Sequence, residues 1–275
     1  MKEISIKKLC ESTRLFYETN FLRSSIIGIS GGIDSAVVAA LIDISCANTC
    51  LIGRSIPIIS NKKDEIRRAQ MVGEAFCQDF KTVGKYRLLL TYMCFKLLLY
   101  SEKPYRLSNK QDPIDKKIRL GNLKARMRMI YLYHLAHLNK GIVLSTDNFT
   151  EYLLGFWTLH GDVGDFGPIQ NAWKTEVYEL AGILIHEYTK GGVQYSPQKA
   201  EALYECAKAT PTDGLGVTDT DLQQLGATSY EVVDHTLKKY LDQQQVYVEA
   251  VVDRHLKSDY KRLNPFNLSR EDMTE

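Results

Sequence analysis

Six consecutive residues, Ser30-Gly31-Gly32-Ile33-Asp34-Ser35, combine groups suited to one task, the gripping of a polyphosphate. The two glycines let backbone N–H groups come close to phosphate oxygens, and the hydroxyls of Ser30 and Ser35 add donors. Asp34 would repel a phosphate that it touched, so its chemical sense is as a ligand for Mg²⁺ bridging to that phosphate. The plainer alternative is a Gly-Gly turn in which Asp34 caps a helix. No Gly-Lys-Ser/Thr follows, and no Gly-x-Gly-x-x-Gly is present, so the segment is neither a Walker loop nor a dinucleotide fingerprint.

Such a loop needs a strand before it and a helix after it, because a helix N-terminus favours anions. Residues 25–29 read as a short strand that brings Gly28 and Ile29 to the loop, and residues 36–42 as a buried helix. A second strand is expected over 50–59, then a helix over about 64–76 capped by Ser60 or Asn61, then a short strand at 81–83. Residues 101–115 carry two prolines and read as a loop; a helix is expected from about Leu120 to Asn139, and residues 141–145 form the clearest strand pattern. Beyond Lys174 the chain reads as helical, with a Pro/Gly/Thr-rich interruption over 210–220. Repeated strand–helix units predict one α/β domain over residues 1–275, a Rossmann-like parallel sheet with helices on both faces and a helical C-terminal extension. Ligands in such sheets collect beyond the carboxyl ends of the strands.

The bulk properties exclude several classes. A net charge of +2 gives no broad attraction to nucleic acid or to an anionic membrane. Residues 1–20 read as an amphipathic helix and not as a signal peptide. The apolar run 88–100 is shorter than the roughly 20 residues a membrane span needs, and reads as a buried or interface helix. Six cysteines without a Cys-x-x-Cys pair point to reduced thiols and a cytoplasmic chain. His134 and His137 lie three apart on one predicted helix, but no third ligand is evident for a zinc site.

The loop resembles the pyrophosphate-binding loop of the N-type ATP pyrophosphatases, a group that includes NAD, GMP, asparagine and argininosuccinate synthetases and tRNA-thiolating enzymes. Three further stretches resemble the NAD synthetase family in particular: Gly121-Asn122-Leu123-Lys124-Ala125-Arg126-Met127-Arg128-Met129, Ser145-Thr146-Asp147-Asn148-Phe149-Thr150-Glu151, and Gly155-Phe156-Trp157-Thr158-Leu159-His160-Gly161-Asp162. The resemblance runs from about residue 20 to 265, with motif order kept, and implies the adenine nucleotide alpha-hydrolase-like fold. It also implies a reaction: the nicotinate carboxylate of deamido-NAD is adenylated by ATP, and ammonia then displaces AMP. Ser30, Gly31, Gly32 and Ser35 would hold pyrophosphate, Thr146, Lys174 and Thr212 would contact ATP, and Asp34 and Glu151 would ligate Mg²⁺. Arg126, Asp165, Tyr260 and Lys261 would face deamido-NAD, with Asp165 placed to help accept a proton from incoming ammonium.

The segment before Asp165 is one residue shorter than the family pattern. Leu159-His160 stands where the family has a substrate lysine, and Tyr260-Lys261 where it has His-Lys. A homodimer is implied, and free ammonia as nitrogen donor, since the chain leaves no room for a glutaminase domain. The alternatives are another pyrophosphatase of this group or a non-catalytic nucleotide-binding homologue. The missing Cys-x-x-Cys and the near-neutral charge count against a tRNA-thiolating enzyme.

Overall fold

The run that feeds the glycine loop forms β1 (Ser24–Gly28), a strand buried on both faces at the centre of a parallel sheet. In this computed structural model the described residues are 4–46, 48–58, 62–100, 113–191, 194–211, 220–244 and 248–263. β2 (Cys50–Ser55), β3 (Asp79–Thr82) and β4 (Ile142–Val143) complete the order β3-β2-β1-β4. Register pairs Ile26 with Ile52 on one side and with Val143 on the other. Because side chains alternate along a strand, those three share one face, and Ile27 and Leu51 share the opposite one.

The first face packs on α5 (Pro113–Leu138) through Met127, Met129 and Leu132, joined by Tyr92 of α4 (Lys85–Tyr100). The second packs on α2 (Ile33–Ser45) and α3 (Lys63–Phe76), and α1 (Ile6–Thr19), α7 (Lys174–Thr189) and α8 (Pro197–Ala207) pack in turn on α2 within the same apolar cluster. α2 contributes an almost unbroken buried run, Ala36 to Ile42, which is why its sequence shows no polar face. The chain leaves β1 toward β2 on one side and returns as β4 on the other. The order therefore reverses beside β1, and a crevice opens there at the carboxyl ends. A third apolar cluster joins α6 (Phe149–Leu154) to α10 (Tyr230–Leu241) and α11 (Glu249–Lys257) through Leu154, Val233, Leu237 and Val251, and so ties the C-terminal helices to the crevice.

Three expectations need correction. α5 begins at Pro113, not near Leu120, because proline suits the first helical position and Asp115 favours the first turn. β4 is two residues long: beyond it Leu144 bridges Phe166, and Ser145 N donates to Phe166 O, so the strand hands over to a returning segment. The apolar run in α4 is mostly uncovered, with Leu90, Leu97 and Leu98 exposed and Tyr92 buried. No helix among the described residues is long and apolar enough to cross a membrane.

Candidate active site

The loop after β1 is shaped by its own hydroxyls. Ser30 Oγ accepts from Gly32 N (3.1 Å), and Ser35 Oγ donates to Gly32 O (3.1 Å) while accepting from Ser30 N (3.4 Å). Gly32 caps α2 without a side chain, so the first N–H groups of α2, those of Ile33 and Asp34, lack intrahelical acceptors. They make the N-terminus of α2 a natural anion site. Gly31 takes φ +84 and lies so close to α3 that an added Cβ would sit 2.2 Å from Glu65 O. Its own carbonyl accepts from Arg68 Nε at 2.8 Å. Gly31→Ala should therefore displace the loop from α3, costing about 1–3 kcal/mol of stability and weakening ATP binding. Urea unfolding and an ATP titration measure both, and unchanged values would show that the loop tolerates a side chain there.

The loop opens onto a cleft of about 520 Å³, within the range of roughly 300–1,000 Å³ usual for small-molecule sites. Beside it, three charged side chains from three separate elements converge. Lys174 Nζ at the start of α7 donates to Asp34 Oδ2 at the start of α2 (2.6 Å) and to Glu151 Oε1 in α6 (3.1 Å). Lys174 is buried, and burial by itself disfavours its charge. Asp34 and Glu151 outweigh that penalty and hold the ammonium well above the ordinary lysine range. Asn148 organises the carboxylates. Its Oδ1 caps α6 by accepting from Glu151 N (3.0 Å), and its Nδ2 donates to Asp34 Oδ1 (2.9 Å).

Two carboxylates against one ammonium leave a net negative charge facing the cleft, which suits a divalent cation. Asp34 and Glu151 both reach a single small cationic group and keep 17% and 19% side-chain exposure, so they fit a hard ion that retains waters. Among the described residues no group of three or more His, Cys, Asp or Glu stands ready to hold a metal. Phosphate and water would have to supply the remaining ligands.

The other expected residues are placed unevenly. Gly28, Ile29, Ser30, Gly32 and Thr146 line the cleft, and so do Tyr260 and Lys261. Gly31 and Ser35 are buried behind the loop, where they shape it. Lys261 Nζ donates to Gly155 O at 2.6 Å. Arg126 is exposed, its Nε donates to Leu159 O (3.0 Å), and it does not line the cleft. Asp165 is not brought to the cleft either. Its carboxylate accepts from Val143 N (2.8 Å) and Tyr133 OH (2.9 Å), holding the returning segment against β4. Thr212 lies outside the described residues. His134 and His137 are exposed.

Some cleft residues carry no assignment from the sequence. Arg128 enters the wall where Arg126 was expected, with Nε donating to Ile56 O (3.1 Å). Asp147 and Asp162 also line the cleft, and burial raises both carboxyls above the usual range, Asp147 the more strongly. Asp162 accepts from Thr158 N at 2.6 Å. The spacing Asn-x-x-Glu is a capping-box signature and could have revealed Asn148. Nothing local marks Arg128 over Arg126, since the choice depends on how α5 rolls against the sheet.

With that geometry in place, comparison with known proteins becomes informative. Residues 5–265 match the sequence model of NAD synthase. The chain belongs to the NAD synthase family. The NH(3)-dependent NAD(+) synthetase of Thermoplasma volcanium is 31% identical over 252 residues, covering 90% of each chain. That of Methanococcoides burtonii is 35% identical over 221 residues, covering 80% of this chain and 73% of its own. Among solved structures, NMN synthetase from Francisella tularensis superposes with a TM-score of 0.74 at 25% identity, over 97% of this chain and 99% of its own. The NH3-dependent NAD synthetase of Campylobacter jejuni, at 22% identity, shows the same fold with a TM-score of 0.66 over 96% and 97%. The carboxylates and the lysine line the crevice where the strand order reverses beside β1.

Proposed function

We propose that this chain is a carbon–nitrogen ligase that amidates deamido-NAD with ammonia, using ATP and releasing AMP and pyrophosphate. The observation that carries the reading is the convergence of Lys174, Asp34 and Glu151 beside the N-terminus of α2. A carboxylate oxygen attacks the α-phosphorus, the α–β P–O bond breaks, and pyrophosphate leaves with that electron pair. The nitrogen of ammonia then attacks the acyl carbon, the C–O bond to AMP breaks, and the nitrogen loses a proton.

The chain's part is to position and to neutralise charge. The loop amides and the α2 dipole face the departing pyrophosphate, and Lys174 offsets charge at its edge. Asp34 and Glu151 would hold Mg²⁺, which when bound supplies charge neutralisation at the phosphates. Action as a homodimer in the cytoplasm belongs to the same proposal, and the exposed apolar residues of α4 support a covering partner.

A second reading, amidation of the mononucleotide form of the same acid, is favoured by one observation. The overlay on the Francisella NMN synthetase is tighter than that on the Campylobacter NAD synthetase, 0.74 against 0.66. Leu159 and Tyr260, where the family has substrate-contacting lysine and histidine, also fit an altered nucleotide pocket. The test is incubation with Mg-ATP, ammonium and either deamido-NAD or nicotinate mononucleotide. The expected result is one AMP and one pyrophosphate per amide formed. Faster amidation of the mononucleotide would move the assignment to the second reading, and ADP with phosphate would overturn both.

A further inference from the structure

The three charged groups of the site sit at helix starts, and both α6 and α7 are held by one residue far away in the sequence. Asp234 of α10 is 1% exposed. Its Oδ1 accepts from Thr150 Oγ1 at 2.6 Å, and its Oδ2 accepts from Thr175 N at 2.9 Å. Thr150 Oγ1 in turn accepts from Lys174 N at 2.9 Å. Thr150 is the residue before Glu151, and Thr175 is the residue after Lys174, so the clamp holds the side chain next to Glu151 and the backbone at and beside Lys174.

The hydrogen bonds have a fixed sense. Thr150 gives its only hydroxyl proton to the carboxylate, so its lone pairs are left for the Lys174 amide. A charged acceptor makes these bonds short and strong, and burial removes the competing water. The C-terminal helices meet the rest of the fold at this point through Leu154, Trp173, Val233 and Leu237. Apolar packing holds α6 and α7 together, and the directional bonds to Asp234 add a constraint on their relative register.

We infer that Asp234, acting through Thr150 and the Thr175 amide, is a positioning residue that holds Glu151 and Lys174 in register for Mg-ATP. The inference rests on the proposed ATP chemistry, but it concerns residues outside the cleft lining, and Asp234 and Thr175 lie in none of the quoted motifs. Loss of the clamp should alter binding and turnover beyond any loss of fold, because it changes where two charges point. Such supporting groups are typically worth about 10–100-fold in metal affinity or activity.

The experiment compares Asp234→Asn, Thr150→Val and Thr150→Ser with the unaltered chain. Mg-ATP binding is measured by calorimetry at several Mg²⁺ concentrations, pyrophosphate release is followed separately, and thermal unfolding is recorded for each protein. Asp234→Asn places an amide against two donors, and Thr150→Val removes the relay at constant size. Both should weaken Mg-ATP binding about 10–100-fold and raise the Mg²⁺ needed for half-saturation, whereas Thr150→Ser keeps the hydroxyl and should restore near-normal values. The Asp234→Asn/Thr150→Val double variant should be little worse than either single one, as expected for one shared path.

If Asp234→Asn does not fold, Thr150→Val and Thr150→Ser still decide the matter. Equal Mg-ATP affinity and Mg²⁺ dependence in the unaltered chain and in folded Thr150→Val would overturn the clamp. An unaltered chain that binds Mg-ATP but makes no pyrophosphate would instead overturn the proposed reaction, and the binding measurements would still test the clamp.

Discussion

Lys174→Met is expected to lower amide synthesis by about 10²–10³-fold, the usual cost of removing one aimed charge or donor from a site. It should also be the most destabilising single change in the cleft. Methionine matches the length of the lysine stem, so the contact with the Tyr230 ring, over which Lys174 Nζ lies at 5.4 Å, is largely kept as packing and the loss is electrostatic. The ammonium bonds Asp34 at 2.6 Å and Glu151 at 3.1 Å. Without it two carboxylates face each other, Asp34 still accepting from Asn148 Nδ2 (2.9 Å) and Glu151 from the Asn148 backbone amide (3.4 Å). Breaking a buried ion pair costs about 3–5 kcal/mol. The residual exposure of both carboxylates puts the expected loss near the lower end, and urea unfolding measures it.

The pH dependence follows from the raised pKa of Lys174. A folded value above the unfolded one means that the stabilisation is complete below the unfolded lysine value of about 10.4. It is lost only as pH rises through the folded value. The unaltered chain should therefore keep a constant advantage over Lys174→Met from neutral pH to about 10, narrowing only above that. Mg²⁺ should recover part of the variant's lost stability, because a divalent cation can take up the charge of both carboxylates. A variant as stable and as active as the unaltered chain would remove Lys174 from the site.

How far this arrangement was legible beforehand depends on the range of the interaction concerned. The glycine loop could be read locally, because two glycines between a short apolar run and a buried helix leave few other conformations. The parallel sheet followed from strand–helix alternation, and the structure has it with β1 at the centre. Boundaries were less legible. Pro113 looks like loop punctuation until it is placed at the first turn of α5, and the pattern of residues 141–145 looks like a full strand until Asp165 and Phe166 return beside it.

Long-range placements were not legible at all. Whether Arg126 or Arg128 meets the cleft is set by the roll of a 26-residue helix, and Asp234 lies 84 residues from Thr150 with no motif around it. The one-residue-shorter segment before Asp165 shows the same limit. A spacing argument carries Asp165 toward the substrate, whereas the backbone amide of Val143 and the hydroxyl of Tyr133 hold it at the sheet edge. Asp162, three residues earlier, is among the carboxyls that line the cleft.

Asp34→Ala separates two explanations of the same cluster. If the three charges serve chiefly to lock α2, α6 and α7 together, removing Asp34 should be nearly as destabilising as removing Lys174. If Asp34 serves chiefly to bind the cation of Mg-ATP, turnover should collapse while the fold persists. The geometry favours the second outcome. Lys174 keeps its bond to Glu151, Asn148 still caps α6, and α2 stays anchored by Ile33 and the buried run from Ala36 to Ile42. What is lost is one acidic residue in the first turn of α2, worth about 0.3–1 kcal/mol, and one of the two carboxylate partners of the buried Lys174 ammonium.

The expected result is thus a stability loss of about 1–3 kcal/mol, smaller than that of Lys174→Met because Lys174 keeps Glu151, beside a fall in pyrophosphate release of more than about 10²-fold. The Mg²⁺ requirement should also shift upward, since Glu151 alone would remain to hold the ion. Paired measurements on the two variants give the decision. Lys174→Met should lose the more stability together with turnover, and Asp34→Ala chiefly turnover. Near-normal pyrophosphate release by folded Asp34→Ala would mean that this carboxylate does not bind the cation, and the glycine loop would then have to grip its phosphates with backbone amides and Lys174 only.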